Sequence, residues 1–257
     1  MKLSDIKLTE KIRMMLTAPN GFGKTAAIAS FWKRYRDRKQ KMYFFDFDGR
    51  MNTVLLLYPE AEDTIEFDTY GPENFELFTV NWNKRKGDNI TGALVLDSFT
   101  SLTMAVVNFQ MRLKGLSNRV TSKGMVVPGW DEINGETSMI SQLLDDCKSI
   151  SKDVFFTAHP VIRTEINTSG GTSSKVRSIA AYGNKIPSLA PIYFNEIYAL
   201  DIENSIEVGG PPKRIAYTTP SGVDYAKTAL PISGKLDITK GLYESLQIEL
   251  KKKNIEF

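Results

Sequence analysis

The sequence predicts an α/β fold: a mostly parallel sheet with helices on both faces and a C-terminal antiparallel hairpin region. Three observations predict it. Short apolar runs near 12–16, 41–47, 93–97 and 154–158 have the length of buried strands. Segments with helical spacing alternate with them. A glycine-rich turn, Ala18-Pro19-Asn20-Gly21-Phe22-Gly23-Lys24-Thr25, joins the first strand to the first helix.

Taken in order, residues 11–17 read as the first strand and 24–36 as the helix leaving the turn. Lys41–Phe47 is an aromatic second strand that runs into Asp46-Phe47-Asp48-Gly49. Ile65–Phe67 is a further short strand. Pro72-Glu73-Asn74 opens a helix toward Lys84, with proline at a first-turn position, and 87–92 is a polar loop. Ala93–Asp97 is an apolar strand ending in an acid, followed by a helix whose face carries Leu102, Val106, Phe109 and Leu113. The period fails from Gly115 to Gly129, which predicts a loop. It returns at Met139, Ile140, Leu143, Leu144, Cys147 and Ile150. Val154–Ala158 is another buried strand, ending at His159-Pro160. Residues 164–178 contain Ser-Gly-Gly-Thr-Ser-Ser without an apolar period and predict a mobile loop. Glu196–Ile202 and Arg214–Thr218 are strands flanking a Gly-Gly-Pro-Pro turn, and Leu242, Leu246 and Leu250 mark a final short helix.

Composition is that of an ordinary globular protein, with 25% charged and 42% hydrophobic residues in 257, read as one core domain over 1–257. The single cysteine, Cys147, excludes an intramolecular disulfide. Its place on the apolar side of a helix predicts a buried thiol and agrees with a reducing cytoplasm. No stretch approaches transmembrane length, so a cytoplasmic protein without a membrane partner is expected. Net charge is only +3, but its distribution is uneven. No acid lies between Asp97 and Asp131, where Arg112, Lys114, Arg119 and Lys123 fall. None lies between Glu165 and Glu196, where Lys175, Arg177 and Lys185 fall, with Arg163 just before. These eight cations are candidate contacts for a polyanion.

The turn carries the chemistry. Glycines at 21 and 23 let successive N–H groups face a phosphate, so Asn20, Gly21, Phe22, Gly23, Lys24, Thr25 and Ala26 are the candidate nucleotide-binding set. Lys24 would reach the β- and γ-phosphates and the Thr25 hydroxyl would hold Mg²⁺. Ala18 stands where the usual pattern has glycine. Asp97, at a strand end remote from the turn, is the second candidate magnesium residue, with Ser98 assisting. Ser98 also suits the N-cap of the helix that follows. Asp46 and Asp48 share one side of a strand; Asp48 is assigned to the attacking water and Asp46 to support, although Asp-Gly is also a turn dipeptide. His159, the sole histidine, is a candidate γ-phosphate sensor because ligands of open α/β sheets gather at strand C-termini.

Ala18–Thr25, Asp46-Phe47-Asp48, Leu94–Ser98 and the strand ending at His159 resemble, in that order, the RecA-like P-loop ATPase core. The chain is similar to its short phage-encoded members, single-domain ATP-binding proteins associated with single-strand-annealing recombination. The resemblance implies ATP and Mg²⁺ as cofactors, single-stranded DNA as ligand, and a filament or ring of identical subunits, with a single-stranded-DNA-binding protein as a further partner in the host cytoplasm. It implies that Asp48 stands for a glutamate that activates water and His159 for a glutamine that senses the γ-phosphate. It also implies DNA-binding loops near 115–129 and 160–182. Tyr225–Pro231 resembles the segment whose lysine, here Lys227, reaches the neighbouring subunit's ATP. A solvated strand lysine is the plainer alternative for that residue. The competing function is a nucleotide-dependent switch or assembly factor that binds a protein partner without DNA; a kinase is the weaker third.

Overall fold

The computed structural model describes residues 11–115, 128–166, 173–204, 211–220, 225–232, 234–255 and 257, the side chains of 163–166 and 173–176 excepted. Strands β1 (Arg13–Thr17), β2 (Lys41–Asp46), β3 (Ile65–Thr69), β4 (Thr91–Asp97), β5 (Asp153–Ala158) and β8 (Glu196–Glu203) run parallel. Strands β9 (Lys213–Tyr217) and β10 (Lys235–Asp237) add an antiparallel edge. The sheet order is β10-β9-β8-β1-β5-β4-β2-β3.

Alternate residues of each central strand feed opposite cores. Met14, Leu16, Met42, Phe44, Val95 and Phe155 pack under α1 (Lys24–Ala29), α2 (Trp32–Asp37), α3 (Met51–Leu57) and α8 (Leu242–Lys251). Met15, Tyr43, Phe45, Leu94, Leu96, Val154 and Phe156 pack under α4 (Phe75–Gly87), α5 (Phe99–Leu113), α6 (Trp130–Ser149) and α7 (Lys185–Leu189). A strand buried on both faces must be apolar at every position, which is why the runs in the sequence are continuous. Cys147 lies fully inside the second core.

Several expectations need correction. The helix predicted over 24–36 is two helices, because the chain bends at Ser30 and Phe31. There the Ser30 hydroxyl donates to Ala27 O (2.7 Å) and accepts from Tyr243 N (3.0 Å), and Phe31 stacks on Phe155 and Tyr243. Pro72 precedes α4 by a turn's length instead of entering it; Asn74 occupies the N-cap position. α6 begins at Trp130, nine residues before the apolar period resumes. Glu132 anchors that start by accepting from Gly129 N at 2.6 Å. The loop predicted over 164–178 is largely an antiparallel hairpin, β6 (Pro160–Ile166) paired with β7 (Ser173–Ile179). Its β-branched residues favour strands, and the Ser-Gly-Gly segment at 169–171 falls outside the described residues. α3, α7 and β10 carry no expectation from the sequence, and the loop expected over 115–129 lies mostly outside the described residues.

Candidate active site

The strand order settles which side chains meet. The turn after β1, His159 after β5, Asp97 at the end of β4 and Asp48 after β2 leave the same edge of four neighbouring strands, β1-β5-β4-β2. Gly21 and Gly23 take φ of 82° and 84°, the left-handed region a residue with Cβ resists, so these positions need glycine. Lys24 is buried and turned back into the loop: its Nζ donates to Ala18 O at 2.8 Å and Pro19 O at 3.2 Å. It also lies 3.2 Å from Nδ1 of His159. Burial pulls the Lys24 ammonium down to about 8 against the pull of Asp97 and Asp48, with Arg50 adding repulsion.

Asp97 is 1% exposed. It accepts from the hydroxyls of Thr25 (2.7 Å) and Thr157. Burial raises its carboxyl to about 6 and the nearby Asp48 and Asp46 add to the rise, while the two threonines oppose it. A carboxylate held at this cost beside the loop's threonine fits a magnesium ion. Thr25 and Asp97 would hold it, and it would supply charge neutralisation for bound phosphates. Among the described residues, no group of three or more His, Cys, Asp or Glu side chains is arranged to hold a metal ion by itself.

Asp46 and Asp48 separate in role. Asp46 is 1% exposed and accepts the backbone N–H groups of Asp48 (3.0 Å), Gly49 (2.8 Å) and Met51 (3.3 Å). It shapes the turn into α3. Asp48 does face the site. Its Oδ1 accepts from the hydroxyls of Ser98 (3.0 Å) and Ser101, and its Oδ2 lies 3.2 Å from Nε2 of His159. Burial pushes the Asp48 carboxyl up, but hydrogen bonds from His159, Ser101 and Ser98 outweigh it and hold it at about 2. Ser98 thus donates to Asp48 and caps α5, where it accepts from Ser101 N.

The family model for the AAA domain matches residues 10–230. The chain belongs to the AAA domain family. The KaiC-like protein PH0186 from Pyrococcus horikoshii OT3 shares the fold at a TM-score of 0.50 and 14% identity, covering 87% of this chain and 83% of its own. The flagellar accessory protein FlaH from Methanocaldococcus jannaschii is similar at a TM-score of 0.42 and 8% identity, over 88% of this chain and 86% of its own. No curated protein matches the sequence. The fold is thus that of the RecA-like P-loop ATPases, within which this AAA domain has an ATPase-type core.

Lys227 is not in this AAA domain's own site. Its Nζ donates to Pro191 O at 2.7 Å, beside Lys11, Arg13 and Lys148 at the start of β1, the end opposite the phosphate loop. The candidate DNA contacts are scattered. Arg112 donates to Pro72 O at 2.7 Å, and Lys114 pairs with Glu132 at 2.9 Å. Arg177 borders a cavity with Thr17 and Pro160, and Lys185 is exposed at the head of α7. Arg119 and Lys123 lie outside the described residues, as do the side chains of Arg163 and Lys175.

Sequence reasoning missed four contributors. Thr157 and Thr100 brace Asp97 and the His159 backbone, the latter at 3.0 Å; as single threonines in an apolar strand and a helix turn they give no signal. Arg214 and Tyr58 were also missed. A Cβ built on Gly23 would lie 3.5 Å from the Arg214 guanidinium carbon. With Tyr58, Ala27 and Lys240 they line a pocket of about 160 Å³ directly behind the loop.

Proposed function

We propose that this chain is an ATPase whose nucleotide cycle is coupled to single-stranded DNA, assembled as a filament or ring of identical subunits and acting in recombination or annealing of the phage type. The observation that carries the reading is the convergence of Lys24, Thr25, Asp48, Asp97 and His159 on one sheet edge. Phosphates would bind at Asn20–Ala26 and displace Lys24 from its carbonyl partners, with Mg²⁺ at Thr25 and Asp97. The nucleoside would occupy the pocket behind Gly23, against Tyr58 and Arg214.

Chain connectivity supports the coupling to DNA. β6 starts one residue after His159, so a change at the γ-phosphate end reaches the hairpin without an intervening loop. The cations of 112–123 and 163–185 would then meet phosphates more than bases, making binding salt-dependent and sequence-tolerant. A second reading has its own observation: Val161, Ile162 and Ile192 are 38%, 64% and 66% exposed on and near the hairpin. Apolar residues there suit a protein partner.

Titrating labelled single-stranded DNA with and without a non-hydrolysable ATP analogue, at two salt concentrations, separates the readings. Analogue-dependent binding that weakens with salt is expected; no binding in either state at low salt leaves the protein-partner reading. Lys24→Ala is expected to weaken analogue binding at least tenfold by calorimetry.

A further inference from the structure

His159 is the one histidine of the chain, and both its ring nitrogens are engaged. Nε2 faces the Asp48 carboxylate and Nδ1 faces the Lys24 ammonium, each at 3.2 Å. An ammonium only donates and a carboxylate at this position only accepts. Both neighbours therefore select one neutral tautomer, with the proton on Nε2 and the lone pair on Nδ1. The backbone is pinned as well, since His159 N donates to Thr100 Oγ1 at 3.0 Å.

Three donors already hold the Asp48 carboxylate. Ser98 and Ser101 occupy Oδ1 and the imidazole occupies Oδ2. A carboxylate so satisfied is a poor proton acceptor but a good orienter of the ring it holds. An imidazole with a carboxylate behind it is the activated base of many hydrolases. The Nδ1 lone pair, held by Lys24, also points the right way, because Lys24 is the side chain that a phosphate loop extends to the β- and γ-phosphates.

We infer that His159 is the proton acceptor for the attacking water and that Asp48 is its positioning residue, with Lys24 covering Nδ1 until phosphate draws it away. The inference rests on the ATPase reading. In the step, the water oxygen bonds to the γ-phosphorus and one water proton passes to Nδ1. The bond from the γ-phosphorus to the bridging oxygen breaks, and its electron pair stays on the ADP oxygen. Imidazolium forms against Asp48 and returns its proton to solvent after phosphate leaves. The charged groups around the ring are Lys24 and Asp48, with Arg50 acting on Lys24 from the start of α3.

His159→Gln decides between a base and a sensor, because glutamine keeps a hydrogen bond to phosphate but takes up no proton. We expect kcat for ATP to fall about 10²–10⁴-fold with KM within a few-fold of wild type. Analogue binding by the variant shows that it is folded. Independently of turnover, nitrogen NMR of the single labelled imidazole should find the proton on Nε2 in nucleotide-free protein. Asp48→Asn should change that tautomer ratio. Turnover preserved in His159→Gln, or a proton on Nδ1 in the nucleotide-free protein, would overturn the inference. Analogue binding with no wild-type turnover in any condition would instead remove the ATPase reading, and this inference with it.

Discussion

Asp46 and Asp48 stand two residues apart on one strand end, yet one builds a turn and the other faces the reaction. Alternation along a strand puts both on the same side, so the sequence could not separate them; the difference arises because β2 stops at Asp46. Three N–H groups then converge on the Asp46 carboxylate, while Asp48, past the bend, is turned to His159. Asp46→Ala is therefore expected to cost about 2 kcal/mol in urea denaturation, since it strands buried donors. Asp48→Asn should slow hydrolysis, and it should also lower the denaturation midpoint, because the native hydrogen bonds favour the carboxylate. What was legible here is instructive. Lys24, Thr25 and Asp97 could be read because motif and strand end fix their place. Thr157 and Thr100 could not, because their role exists only where β4, α5 and β5 are adjacent.

Elements longer than a turn and buried on both faces were legible for a simple reason: a continuous apolar run of strand length has few other uses. Short pieces were not. α3 buries only Met51 and Val54, leaving Leu56 84% exposed, so its apolar pattern misdirects any reading by period. Close packing between elements is testable at Gly92 of β4, where a Cβ would meet Tyr35 Cδ1 at 2.8 Å and Gln40 Oε1 at 2.7 Å. The Tyr35 hydroxyl donates to Asp153 at 2.5 Å, so the ring is not free to retreat. Gly92→Ala should lower stability by about 1–3 kcal/mol, read as a fall in Tm.

The junction of α6 with the segment after β7 gives a pH signature. Glu136 is fully buried; its Oε2 accepts from Gly183 N at 3.2 Å and its Oε1 has no partner. Burial raises this carboxyl from 4.5 to about 7, against backbone hydrogen bonds from Gly183 and Tyr182. The folded state thus holds a proton that the unfolded chain releases above about 4.5. Stability from this group is full below that pH and is lost as pH rises toward and through 7. Glu136→Gln keeps the neutral shape at every pH. The variant and the wild type should have similar stabilities at pH 4, and the variant should be about 3 kcal/mol more stable at pH 8.5. Equal stability at pH 8.5 would show that the carboxylate is better solvated than its surroundings indicate.

At the scale of the whole molecule the question is how many chains make one site. Lys24 follows the C-terminal end of β1, whereas the Lys227 ammonium lies with Lys11 and Arg13 toward its start, so the two do not meet at one phosphate within a single subunit. If the active assembly is head-to-tail, each nucleotide meets Lys24 of one copy and Lys227 of the next. Variants in the two residues then fail for different reasons. Lys24→Ala should lose nucleotide binding, whereas Lys227→Ala should keep it and lose hydrolysis. The decisive experiment mixes the two inactive proteins. Random co-assembly in equal amounts pairs an intact Lys24 with an intact neighbouring Lys227 at about a quarter of the sites, so turnover should return to about a quarter of wild type. Lys227 acting within its own chain, or serving only the Pro191 turn, predicts no recovery at any mixing ratio. Recovery that saturates with total protein concentration would further tie hydrolysis to assembly, because a contact that completes the site must be populated before the site can work.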